Sequence, residues 1–318
     1  MSRYPANMHG ETYATALLAI AKWTTDVGVL WLTGACVFRG VSHRLTSFTT
    51  FRSDVESQLV QQAGLASSLL VLATLARLYA QTYSSFGLDE PVTSELLWLV
   101  AEQTRWGGRW VVQGTAVILA AFAAGAVVLR CRWSWSVLTC ATLVVVATTP
   151  VTGHAFAYAS GVFWPMVLQI SHLLAAGVWL GTLLLILVIG LRSSGQGSMR
   201  DAEIDGTGML SGIVNRFSPV ALTAAGVLAV TGLSTAMLYV DEWAQLWRTP
   251  YGRLLLVKGG LFGLTAMIGA YNWKKVRPIL ASPQGFRRLR YSATAELLVA
   301  AAVLAVTAWL VHLPMPHE

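Results

Sequence analysis

Imidazole is the side chain here best suited to holding a metal or a haem iron, and the chain carries six histidines whose positions are unevenly distributed. His43 sits among arginines in a polar connection and reads as an ordinary loop residue. His154 follows Pro150-Val151-Thr152-Gly153, just past an apolar stretch, where glycine permits a tight turn. His172 lies about ten residues inside the next apolar stretch, and His312 closes the last one. His9 and His317 belong to the termini, beside Met8 and Met315. Thioether together with imidazole is a soft donor set, better matched to copper than to magnesium or calcium. The competing readings are solvated tails for the terminal pairs and a structural hydrogen bond between helices for His172.

Ionisable residues inside apolar stretches are the second group that could do chemistry, because each needs a partner, a route to water or a function. Lys22 and Asp26 stand four apart, the spacing at which helical side chains meet, and are expected to neutralise one another or to line a cation or proton path. Arg77, Arg105, Arg109 and Lys258 fall near span ends, where their stems can snorkel to the interface. Glu296 lies about two turns beyond a basic cluster, either pairing with arginine or lining a pathway. Cys36, Cys131 and Cys140 form no CxxC pair, so thiol redox chemistry and zinc-knuckle spacing are both disfavoured.

Apolar helices must position these groups. With 55% hydrophobic and 12% charged residues in 318, the chain has too little polar surface for a water-soluble globule. Apolar runs at roughly 14–38, 59–83, 107–129, 134–152, 162–191, 213–239, 252–273 and 290–312 each approach the length that crosses a bilayer. The expected fold is therefore all-α: a polytopic transmembrane bundle of about eight spans, forming a single integral membrane domain over 1–318. The run beginning near Thr12 lacks a persuasive cleavage site and reads as a retained first helix. A shorter amphipathic piece, Val92 to Gln103, is expected along the interface.

Charge sets the orientation. The connections after spans one, three, five and seven hold fourteen Lys and Arg against five acids, which places them in the cytoplasm and both termini outside. The formal charge of +7 is thus a membrane-orientation signal, and nucleic acid is not an expected partner; the lipid bilayer is.

The segment His172-Leu173-Leu174-Ala175-Ala176-Gly177-Val178-Trp179-Leu180-Gly181 resembles the fifth-helix motif of the copper-resistance D (CopD) family, a histidine followed by small residues and Trp-x-Gly. Gly153-His154-Ala155, Arg216-Phe217-Ser218, Thr231-Gly232 and the run from Tyr251 to Lys258 are similar to that family in the same order. The resemblance marks a core of about 151–312, with a weaker match over 1–150 carried by helix count and by Gly34 to Phe38. It implies copper movement or delivery across a bacterial inner membrane, with a separate periplasmic CopC-type copper-binding protein as partner. The working ligand set is His154 and His172, assisted by His9, His312, Met315 and His317. No GxxxxGK[ST] run is present, so direct nucleotide-driven pumping is disfavoured. Independently of family, His172 and Trp179 are seven apart and are expected to share a helical face, while Gly177 and Gly181 form a GxxxG pair suited to close helix contact. Trp179 itself is expected to pack. Two alternatives remain: a haem-b redox protein with His172 as axial ligand, and a non-catalytic membrane assembly factor.

Overall fold

The computed structural model describes residues 6–43, 49–87, 90–129, 131, 133–152, 163–193, 200–240, 242–280 and 282–312. Among them the chain is helical, with no strand. Helix α1 covers Ala6–His43, α2 Thr49–Phe86, α3 Ser94–Gln103 and α4 Arg105–Val128. Helix α5, Ser134–Thr148, ends in a tighter 3₁₀ turn over Thr149–Thr152. Helices α6, Phe163–Ala176, and α7, Thr182–Ser193, are one continuous span joined by a π-helical turn at Gly177–Gly181. Helix α8 covers Arg200–Tyr239, α9 Gln245–Arg248 and α10 Pro250–Tyr271. A second π turn, Asn272–Val276, extends α10, and α11, Pro283–Leu310, completes the fold.

Eight of these segments are long and apolar enough to cross a membrane, matching the expected spans to within a few residues at most ends. The amphipathic piece is α3, started by Thr93, whose hydroxyl accepts from the Leu96 backbone N–H at 3.3 Å. Thr104, Thr249 and Ser282 cap α4, α10 and α11 in the same way, the last two with proline following at the first helical position. Inside the spans, threonine hydroxyls turn back on their own helix, as Thr25 does on the Ala21 carbonyl and Thr33 on that of Val29. That intrahelical bond lets a polar side chain sit in hydrocarbon without an orphaned donor.

Helix α1 is the hub, touching α2, α5, α6, α7, α8 and α11. It packs backbone against backbone on the π turn. A Cβ on Gly181 would strike the Leu30 carbonyl, one on Gly34 would strike the Gly181 backbone, and one on Gly177 would strike Thr33. The expected GxxxG contact is therefore present, with α1 as its partner. Helices α8 and α10 scarcely touch one another and are linked chiefly through α6, α7 and α11.

The π turn alters one expectation. In uniform α geometry His172 and Trp179 would share a face, but the wider turn offsets the register between them. His172 faces α8, whereas Trp179 faces α10 and α11.

Candidate functional site

His172 Nδ1 lies 2.9 Å from Thr231 Oγ1 on α8. The threonine has one proton to give, and its hydroxyl also lies 2.7 Å from the Val227 carbonyl, which can only accept. With that proton committed to Val227, Thr231 accepts from His172, so the imidazole carries hydrogen on Nδ1 and presents a lone pair on Nε2. This is the tautomer a metal ligand needs, fixed by a partner on the opposite nitrogen. The Cε1 edge of the ring lies beside Gly232, where an added Cβ would meet it at 3.5 Å.

Lys258 of α10, half-buried, acts electrostatically on His172 and also lies within reach of Lys22 and Asp26. Lys22 and Asp26 form the expected i,i+4 ion pair, with Nζ 2.6 Å from Oδ1 and Asp26 only 3% exposed. Asp26 is thus the common counter-charge of a group of cations that includes Arg77.

Arg77 does not snorkel. It is 8% exposed, and its Nη1 donates to Gln113 Oε1 and to Thr152 Oγ1, each at 2.8 Å. Gln113 Nε2 reaches Thr149 Oγ1 at 3.3 Å, so α2, α4 and the 3₁₀ turn after α5 are tied by one buried polar network. The sequence signal for it was Gln113, an amide in the middle of an otherwise apolar span.

Among the described residues, Glu296 pairs with no arginine. It is 2% exposed and accepts from Trp179 Nε1 at 3.0 Å and from Asn272 Nδ2 at 2.7 Å. Both donors stand on π turns, and Trp179, expected only to pack, is also an indole donor. Its ring meets Phe262 edge-on, with centroids 6.3 Å apart.

Of the remaining expected ligands, His312 is half-buried in the turn that ends α11. His9 lies on the first turns of α1, and its side chain is not among those described. His154, Met315 and His317 lie outside the described residues. No cluster of three or more His, Cys, Asp or Glu side chains suited to a metal occurs among the described residues. Cys36 Sγ sits 3.6 Å from Thr142 Oγ1, while Cys131 and Cys140 are exposed.

These features define a polytopic helical membrane protein with ionisable groups among its helices and a half-buried, oriented histidine. Two family models match it, "Copper resistance protein D" over residues 211–310 and "Copper resistance protein D-like, N-terminal domain" over residues 13–164. The chain belongs to the copper-resistance D family. It is 25% identical to "Copper resistance protein D" of Pseudomonas syringae pv. tomato over 301 residues, covering 90% of this chain and 92% of that protein. It is 28% identical to "Copper transport protein CutJ" of Bacillus subtilis (strain 168) over 220 residues, 68% of this chain. The match spans only 38% of CutJ's length.

Proposed function

We propose that the protein moves or delivers copper across a bacterial cytoplasmic membrane, with His172 Nε2 as a donor inside the bundle. The observation that carries this reading is the His172–Thr231–Val227 hydrogen-bond chain, which leaves a lone pair rather than a proton on the free imidazole nitrogen. Relatives named for copper resistance and copper transport supply the cargo. Lys258 nearby repels an incoming cation, and it repels Cu(I) half as strongly as Cu(II), so the singly charged ion is the cargo the electrostatics favour.

In this reading the basic connections face the cytoplasm and both termini face outward. Copper is received at the outer face from a separate CopC-type protein. His154 takes it first, with His9, His312, Met315 and His317 assisting, and His172 is the deeper station. Weak, exchangeable sites in series suit passage, because a site that binds too tightly does not release its ion.

Cu(I) uptake by proteoliposomes carrying the wild-type chain, His154→Ala or His172→Ala tests the route. Loss of uptake in both variants is expected; unchanged uptake in both removes it. An absorption spectrum of the same preparation tests haem b, whose Soret band would contradict the copper reading. A bis-histidine haem needs a second histidine at matching depth, and none faces His172 among the described residues.

A further inference from the structure

Glu296 is a carboxyl group almost wholly removed from solvent, held by two neutral donors and by no ion pair among the described residues. The charged groups on the elements packed against it are engaged elsewhere or lie at other depths. Lys22 and Asp26 of α1 pair with each other. Lys258 of α10 lies about three turns from Gly269, the residue of that helix that adjoins the carboxyl. Lys274 and Lys275 on the second π turn are exposed. Arg277, in the 3₁₀ turn beyond, donates to Asn215 Oδ1 at 2.7 Å. Arg290, on α11 itself, is exposed nearly two turns away.

A carboxylate sealed from water without a counter-cation is costly, and acquiring a proton removes that cost. The site is also built for both states. When ionised, Glu296 takes one hydrogen bond on each oxygen, from Trp179 and Asn272. The Asn272 carbonyl oxygen, Oδ1, is buried and finds no hydrogen-bond partner among the described residues. A half-turn of the Asn272 amide would place that acceptor against a protonated Oε2, so the atom left over in one state is the partner required in the other. An open cavity of about 390 Å³, lined by Ser211, Asn215, Trp273, Lys274, Arg277 and Pro278, lies against the same π turn that carries Asn272.

We propose that Glu296, with Asn272 as its switching partner, is a proton-binding site inside the membrane, loaded and emptied through the cavity beside Trp273. A hydronium ion gives up one proton, the proton bonds to Oε2, the released water returns to the cavity, and the site changes from one negative charge to none. The coupling of this site to cargo rests on the copper reading above. A cation at His172 stands about 10 Å along the helix from Trp179, close enough in apolar surroundings to favour the ionised carboxyl. Arrival of copper then expels the proton, and departure of copper takes one up.

The test uses the purified full-length protein in lipid nanodiscs. Infrared difference spectra between acid and alkaline buffer should show a protonated-carboxyl stretch that disappears in Glu296→Gln and shifts in Asn272→Leu, with thermal melts confirming that both variants fold. Wild-type and Glu296→Gln spectra that superimpose would overturn the proton site. A Cu(I) acetonitrile complex added in weak buffer should release about one proton per copper bound, read by a pH dye, and Glu296→Gln should bind copper without that release. Equal release by the two proteins would overturn the linkage. Absence of Cu(I) binding by the wild type would instead refute the copper reading, while the infrared spectra would still decide the proton site.

Discussion

The backbone of Gly181 packs directly against the backbone of Gly34, with no side chain between them. Their contact joins α1 to the π turn of the fifth span and thereby fixes the depth of everything on that span, His172 and Trp179 included. Gly181→Val should destabilise the bundle by about 1–3 kcal/mol, the usual range for forcing volume into a packed core. In a Cys131→Ser/Cys140→Ser background, a thiol-reactive dye reporting on Cys36, which is partly buried in that core, should show a melting temperature several degrees lower. Gly226→Val, on α8 where nothing lies within 4 Å of the added Cβ, is the control and should melt like the parent.

Asp26 offsets more than its own partner. Asp26→Asn leaves Lys22 unpaired and removes the negative charge that Arg77 and Lys258 also feel. Removing one member of a buried pair costs about 3–5 kcal/mol, far more than replacing both. The single variant should therefore be less stable than Lys22→Met/Asp26→Leu, as read by thermal unfolding in detergent. The reverse order would mean that the pair contributes nothing beyond its own spacing.

Arg77 and Gln113 should behave as one unit. Arg77→Leu takes the charged donor away from Gln113 Oε1 and the Thr152 oxygens and leaves Gln113 Oε1 only the Thr152 hydroxyl at 3.1 Å, while Gln113→Leu removes one acceptor from the guanidinium. A double-mutant cycle on thermal stability should give a coupling of about 1 kcal/mol or more. Arg77→Lys should not rescue the network, because an ammonium cannot reproduce the planar fork. Additive effects would show that the two side chains are neighbours without being partners.

In the copper reading proposed above, Thr231 positions His172 for the metal. Thr231→Val removes the oxygen that holds the Nδ1 hydrogen and should weaken Cu(I) affinity by about 10–100-fold, the common effect of losing a ligand's hydrogen-bond partner. Competition with a chromogenic Cu(I) chelator measures it. Thr231→Ser keeps the hydroxyl and should restore most of the affinity, an outcome that a purely steric role would not produce.

The eight spans and the short helix α3 are legible in the sequence because length, hydropathy and proline placement each report on one segment at a time. Lys22–Asp26 is legible for the same reason, both partners lying within one turn of a single helix. Glu296 is conspicuous but its partners are not, since Trp179 and Asn272 come from 117 and 24 residues away and no local pattern brings them together. For Arg77, proximity to a span end suggests snorkelling, and only the fold places Gln113 and Thr152 within its reach. The π turns are invisible to a uniform helical period, which puts His172 and Trp179 on one face where the structure separates them.

Those two widened turns place a constraint on sequence length rather than on residue type. Deleting a single residue between 177 and 181 would let the turn close to ordinary winding, keeping the register beyond it nearly unchanged while re-aiming the residues inside it. Trp179 sits inside that turn and would lose the wide winding that aims it at α11, so the Glu296 carboxyl would lose its indole donor without any change to the atoms of either side chain. In this bundle, the spacing within 177–181 and 272–276 is itself part of the site.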